Sequence, residues 1–427
     1  MDPDVADRAP RRVVVTGLGM LTPLANDWAG TWQGLLDGRS GISRVTAFDA
    51  SAYDCPLAGE LHDFDEAAVV DAKQLRRIDR STVLAIAAAR EAVADSGIDV
   101  PSLDPENLGI VLGTGIGGAH LLVENQQALD QRGPRRVSPF LITHMLPDTP
   151  TGLLAIELGV RGPNLAVTAA CATGGAAVGE AAEIVSRGEA TAVIAGGFEA
   201  SLKPVYYAGF QAMRALATHP DPTRASRPFD AERNGFILSE GSCCLVLEEA
   251  EHARSRGAHI YAEWLGAGTA SDGVDMVAPP EDGRGIRTAM ARALRRARRS
   301  PADIDYVNAH GTGTPINDRV ETGALRSVFG EHADRLLVSS TKSMLGHMMG
   351  AAGAVEAAVA ALVCERQLVP PTINYEHPDP DCDLDYVPNE ARGAAVRCAL
   401  STSVGLGGHN SALIFGRWDP ENAEGGR

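Results

Sequence analysis

Short apolar runs alternate along the chain with longer alanine-rich stretches, the pattern of strands and helices stacked in layers. The runs predict strands at Val13–Thr16, Gly109–Leu112, Leu165–Thr168, Ala192–Ala195, Cys243–Leu247, Tyr306–Asn308, Leu336–Ser339 and Ala412–Phe415. None alternates polar with apolar positions, so these strands are expected to be buried on both faces. Residues 1–10 and 418–427 are polar and read as loose ends. The fold class is α/β.

The pattern also repeats. Val13-Val14-Val15-Thr16-Gly17-Leu18-Gly19 has a counterpart in Ile260–Gly268, and Val111–Gly115 is echoed by Asn308–Gly313. Gly174–Ala181 is then echoed by Gly350–Ala357. Three matches in one order predict two pseudo-duplicated βαβ halves, 11–256 and 257–417, packed sheet against sheet with helices between. The glycine-rich turns do not suit a nucleotide. Gly17-Leu18-Gly19 lacks a third glycine in register, and Lys342-Ser343 lacks the upstream glycine of a phosphate loop.

Composition narrows the picture. Hydrophobic residues make up 44% and aromatics 5%, with 46 glycines, which suits tightly packed helix and sheet layers. A net charge of −17 argues against nucleic acid as a partner. Seven cysteines without a C-x-x-C pair suggest neither a zinc site nor a disulfide framework. The acidic start has no apolar segment after it, and no apolar run of about 20 residues would span a membrane. The expected setting is the cytoplasm, with no metal and no cofactor.

Four segments carry chemistry. Leu165–Ala170 and Ala172–Ala177 flank Cys171 as strand, sharp turn and small-residue helix. A thiol at a helix N-terminus is expected to be pulled below its free value of about 8.5, towards thiolate. The alternative is a buried structural cysteine, a reading that fits Cys243 and Cys244 well. Asn308–Pro315 places His310 on a loop too glycine-rich for a core, although a lone histidine there decides nothing. In Ser339–His347, Lys342 and His347 bracket a strand-to-helix turn, with Glu356 expected further down the helix that follows as the carboxylate a buried lysine needs. Ser401–Asn410 reads as a glycine-rich turn able to present backbone N–H groups to an oxyanion, or as a turn chosen for steric reasons alone.

Together these segments resemble the β-ketoacyl-acyl carrier protein synthases of the elongating Cys-His-His type, from Val13 to Phe415. Ser226–Asp230, Gly235–Gly241 and Pro370–Asn374 share in the resemblance. It implies a thiolase-like fold in five layers (α-β-α-β-α) and either a homodimer or a heterodimer with a ketosynthase-like chain-length subunit. It implies that Cys171 takes an acyl group from an acyl carrier protein, where phosphopantetheine holds the substrate. His310 and His347 would assist decarboxylation of a malonyl thioester by stabilising the enolate or activating water. Lys342, held by Glu356, would organise the site. The backbone N–H groups of Cys171 and Leu406 would form the oxyanion hole. Thr312 and Thr314 match positions that bind the pantetheine arm. Lys73, Arg76, Arg77, Arg135, Arg136 and Arg214 match positions where the acidic carrier docks.

The sequence departs from the family in the turn before the last strand. There the usual Asn-Ser-Phe-Gly-Phe-Gly-Gly has Thr402, Val404 and Leu406 in place of the Asn and both Phe. Ala172-Thr173 also replaces a common pair of hydroxyl residues after the nucleophile. A slimmer gate at Val404 and Leu406 points to type II polyketide or polyene synthesis, with housekeeping fatty-acid elongation as the alternative. A degradative thiolase would need a second catalytic cysteine in the Gly405–Asn410 turn, which has none. A starter-unit synthase would carry asparagine where His347 stands. A non-catalytic chain-length subunit would lack the nucleophile.

Overall fold

The first strand, β1 (Val13–Leu21), is buried along its whole length, and its neighbours explain why. The computed structural model describes residues 10–419. The remaining strands of the main sheet are β2 (Leu108–Gly113), β3 (Asn164–Val167), β4 (Ala192–Glu199), β5 (Gly241–Glu249), β6 (Ala262–Ser271), β7 (Tyr306–Asn308), β8 (Leu337–Ser339), β9 (Cys398–Gly405) and β10 (His409–Gly416). They hydrogen-bond in the order β8-β7-β9-β10-β6-β1-β5-β4-β2-β3.

Read outward from the junction of β1 and β6, both halves have one topology. In each, the first strand pairs antiparallel with the fifth and the fifth antiparallel with the fourth. The fourth then pairs parallel with the second, and the second with the third. The halves are therefore mixed sheets rather than purely parallel βαβ units. They are joined by pairing of Val13–Val15 with Trp264–Ala262.

Helices fill the other three layers. α1 (Arg80–Ser96) covers β1, β5 and β4, while α3 (Arg284–Ala297) covers β6 and β10, with α4 (Pro315–Phe329) packed on α3. Between the halves lie α2 (Thr173–Ser186) and α5 (Ala352–Arg366), each touching strands of both. α5 is buried from Ala352 through Cys364, as a helix with sheet on two sides must be. The arrangement is the five-layered thiolase-like fold.

Glycine explains much of the repeat. A Cβ on Gly19 would lie 2.1 Å from the Ala88 carbonyl oxygen of α1, and one on Gly268 would lie 2.1 Å from that of Ala289 in α3. The covering helices thus sit against the sheet backbone itself. The central helices show the same economy, with a shift in register. α2 starts at Thr173 and α5 at Ala352, so Gly174 answers to Gly353, three residues on from the Gly350 that sequence similarity paired with it.

Other expectations are corrected. β3 is an exposed edge, open at Asn164, Leu165 and Ala166, because it pairs on one side only. Ser401–Gly405 is strand rather than turn, leaving only Leu406–Gly408 to reverse the chain. Residues 1–9 and 420–427 lie outside the described residues, but Trp418 is no loose end: Arg12 stacks 4.8 Å over its ring. No helix among the described residues is long and apolar enough to cross a membrane.

The crossing of α2 and α5 yields a test. A Cβ on Gly353 would stand 2.5 Å from the Gly175 backbone nitrogen, which has nowhere to go. Alanine favours a helix over glycine by about 1 kcal/mol, so a harmless site would gain stability. Gly353→Ala should instead lose about 1–3 kcal/mol in denaturant unfolding. A gain would show that the helices do not depend on this contact.

Candidate active site

Cys171 sits on a tight turn, Ala170–Ala172, between β3 and α2. Ala170 adopts a left-handed backbone, φ 48°, and throws the sulfur inward. The Thr173 hydroxyl accepts the Ala169 N–H at 2.7 Å and braces the turn. Cys171 is buried, and the Leu406 N–H donates to its sulfur. Burial pushes the thiol up to about 12, while Lys342 and the Leu406 N–H act in the opposite direction. The downward shift expected from the helix N-terminus is therefore reversed, because loss of water outweighs it. The resting residue is a thiol.

His310 follows β7 and is held by its backbone. Its N–H donates to Glu321 at 2.8 Å, and the Gly311 N–H donates to the other oxygen of the same carboxylate at 2.8 Å. The Thr402 hydroxyl on β9 donates to Glu321 as well, at 2.8 Å. Nδ1 of the imidazole lies 3.4 Å from Nζ of Lys342. Lys342 has only donors, so Nδ1 accepts and the ring proton resides on Nε2. Burial first, then Lys342 and His347, hold His310 well below 6.5. Burial and Lys342 do the same to His347. Both rings are neutral near pH 7. They stand edge to face, 5.5 Å apart, and Phe236 packs its ring 5.2 Å from His347.

Lys342 is 2% exposed and is ion-paired with Glu356. The lysine opens a short helix, Lys342–Leu345, within the segment read as a strand-to-helix turn, and Glu356 lies on α5, the helix that follows. Burial raises the Glu356 carboxyl to about 7 against the pull of Lys342.

One cavity of about 350 Å³ gathers these groups. Cys171, His310, His347, Thr312, Thr314, Val404 and Leu406 all line it. The hydroxyls of Thr312 and Thr314 are 3.0 Å apart, and Thr314 immediately precedes α4. Phe210, Phe236 and Met349 supply an apolar wall beside Cys171. Arg214 is exposed at the same cavity. Lys73, Arg76, Arg135 and Arg136 are exposed elsewhere on the surface, and Arg77 lies 4.0 Å over the Phe140 ring, which joins their two segments.

Sequence reasoning missed the buried carboxylates beneath the loops. Besides Glu321, Asp318 accepts the Gly313 N–H at 3.1 Å and the Phe229 N–H at 2.8 Å. Their spacing, Asp318 and Glu321 one turn apart after Thr314-Pro315, was the available signal. Asp230, Glu232 and His377 also bring possible metal ligands together, but Arg227 already faces both carboxylates, at 3.6 and 3.0 Å.

Comparison with known proteins agrees with this geometry. Residues 10–253 match the family model described as Beta-ketoacyl synthase, N-terminal domain, and residues 261–376 match its C-terminal domain. The 3-oxoacyl-[acyl-carrier-protein] synthase 2 of Synechocystis sp. is 46% identical, over 97% of this chain and 100% of that protein. Its counterpart in Coxiella burnetii is 45% identical over 95% and 99%. Among solved structures, the ishigamide ketosynthase/chain length factor superposes with a TM-score of 0.90 at 36% identity, over 96% of this chain and 100% of that one. A type II polyketide synthase ketosynthase, solved with its acyl-carrier protein and bound to a hexaketide, gives 0.89 at 32% identity over the same shares. With a cysteine and two neutral histidines lining one cavity and a paired lysine against His310, the chain belongs to the beta-ketoacyl synthase family of acyltransferases.

Proposed function

We propose that the protein carries an acyl chain on Cys171 and condenses it with a malonyl-acyl carrier protein, in type II polyketide or polyene synthesis. The observation that supports this is the shared cavity, where Cys171, His310, His347 and the Leu406 backbone meet. In acylation, Cys171 Sγ bonds the acyl carbon, the carrier sulfur leaves, and the thiol proton ends on that sulfur. The carbonyl oxygen lies against the N–H groups of Cys171 and Leu406; one such donor is worth about 3–4 kcal/mol. In condensation, the malonyl group loses carbon dioxide. The Nε2–H of His310 and the ring of His347 then receive the enolate oxygen. The enolate carbon bonds the acyl carbon and Cys171 leaves as thiolate. Lys342, held by Glu356, fixes the His310 tautomer. No step calls on a metal or a cofactor, and the cytoplasm is the setting.

The carrier, an acidic protein bearing phosphopantetheine, would reach Thr312 and Thr314 with its arm. The solved polyketide ketosynthase with its carrier supports such a partner. Lys73, Arg76, Arg77, Arg135, Arg136 and Arg214 would receive it by charge. The open edge of β3 and the exposed Ile142, Leu146 and Ile156 support a homodimer or a heterodimer with a chain-length subunit. Fatty-acid elongation is the second reading, favoured by the 45–46% identity to 3-oxoacyl-[acyl-carrier-protein] synthase 2 proteins.

Four results are expected. Alkylation of Cys171 by iodoacetamide should climb with pH without levelling off below about pH 10, because the thiol titrates above the free value. A plateau near neutrality would place the thiolate in the resting enzyme. Cys171→Ala should abolish condensation. His310→Ala should keep acylation, read by intact-protein mass spectrometry, yet lose malonyl decarboxylation by about 100-fold or more; loss of acylation alone would reverse the roles. Leu406→Phe should cut turnover of long or polyunsaturated acyl chains by about tenfold more than that of short saturated ones. Equal losses across a chain-length series would favour fatty-acid elongation.

A further inference from the structure

Glu199 ends β4 deep inside the protein, 1% exposed, and the reaction outlined above does not use it. Its carboxylate accepts four hydrogen bonds, none of them from a cation. Three come from the loop after β2: the Gly115 N–H at 2.8 Å, the Thr114 hydroxyl at 3.0 Å and the Ile116 N–H at 3.3 Å. The fourth is the Gly350 N–H at 3.1 Å, from the turn that leads into α5. One oxygen, Oε2, receives both the Gly115 and the Gly350 donors. A single side chain thus ties a loop of the first half to a turn of the second.

Both sides of the tie touch the site. A Cβ on Gly115 would stand 3.6 Å from the carbonyl oxygen of Ala170, the residue before Cys171. Gly350 follows Met349, which lines the cavity and packs in the same apolar cluster as Cys171, Phe210 and Phe236. Ala170 and Met349 share an unusual backbone, φ 48° and 47°. Left-handed backbone at a residue with a side chain costs about 1–3 kcal/mol and persists only where its neighbours enforce it. Next to Met349, the hydrogen bond from Gly350 to Glu199 is a contact of that kind.

We propose that Glu199 is a positioning residue for acyl transfer: by binding the Gly115 loop to the Gly350 turn, it holds Met349 as the wall along which the acyl chain lies. The inference rests on Cys171 carrying that chain. A rival role is electrostatic, since the carboxylate also raises the Cys171 thiol. The two roles separate by substitution. Glu199→Gln removes the charge and gives up the long bond from the Ile116 N–H, but keeps a carbonyl oxygen for Gly115 and Gly350, with the amide turned to the Thr114 hydroxyl. Glu199→Asp keeps the charge but is one methylene too short to span both loops.

Single-turnover acylation of Cys171 from acetyl and dodecanoyl carrier thioesters, followed by intact-protein mass spectrometry, tests this. Glu199→Asp should slow dodecanoyl transfer by about 10- to 100-fold and acetyl transfer far less, the size of effect that a wall misplaced by about 1 Å produces. Glu199→Gln should stay close to wild type with both. Met349→Ala, which removes the wall and leaves the tie, should reproduce the loss with dodecanoyl alone, and it carries the test if Glu199→Asp does not fold. A slow Glu199→Gln beside a normal Glu199→Asp would overturn the proposal in favour of charge, and equal losses on both chains would overturn it as general damage to the turn. Absence of acylation in the wild type would sink the proposed function itself, and is read separately.

Discussion

The crossing of α2 and α5 at Gly174 and Gly353 is the contact on which the site depends. A Cβ on either glycine would fall within 2.5 Å of a backbone nitrogen on the other helix, at Ala354 and Gly175 respectively. Only bare backbone permits that approach. Because the two helices share one layer, the turns that precede them are forced together. One turn carries Cys171 and the other follows Lys342 and His347. The chemistry is therefore assembled by packing between the halves, and neither half contains it alone.

Bringing those turns together creates an electrostatic problem, which the structure solves with backbone dipoles. Lys342, Glu356, Glu321, Glu199 and Asp318 are all buried. An uncompensated buried charge costs several kcal/mol, so each needs partners. Lys342 and Glu356 neutralise one another. Glu321 and Glu199 are instead met mostly by N–H groups of glycine-rich loops, two to Glu321 from His310 and Gly311 and three to Glu199. That choice has a consequence for function. A carboxylate satisfied by loop backbone fixes the loop, and the loop fixes the side chain it carries. His310 is aimed in this way by Glu321 from below and by Lys342 at Nδ1, which leaves its Nε2–H free for the cavity.

Much of this was legible before any coordinates. Eight apolar runs fall on eight strands, and the strand–turn–helix around Cys171, the histidine loop and the Lys342–Glu356 pair all emerge as read. The failures share a cause. Pattern reports how apolar a segment is, not what faces it. β3 reads as core through Leu165–Thr168, yet it is an edge, because among the described residues no strand lies beyond it. Glu199 follows the buried run Ala192–Phe198, but its partners lie some 84 and 151 positions away in the chain. The direction of the Cys171 shift failed similarly. The helix N-terminus is visible in sequence, whereas the burial that overrides it is a property of the assembled halves.

The end of β9 and the turn after it separate the work of backbone from that of side chains. The Leu406 N–H reaches the Cys171 sulfur, and a Cβ on Gly405 would come within 3.2 Å of the Cys171 nitrogen and 2.6 Å of the Ala169 carbonyl oxygen. The main chain is therefore pinned against Cys171, and Gly405 has no freedom to vary. The side chains of Val404 and Leu406 face the cavity, where shape rather than hydrogen bonding is read. Swapping one apolar side chain for another there alters the width of the passage at a cost the interior tolerates. The shape of the cavity can thus change at two positions, with Cys171, the two histidines and their carboxylate supports untouched.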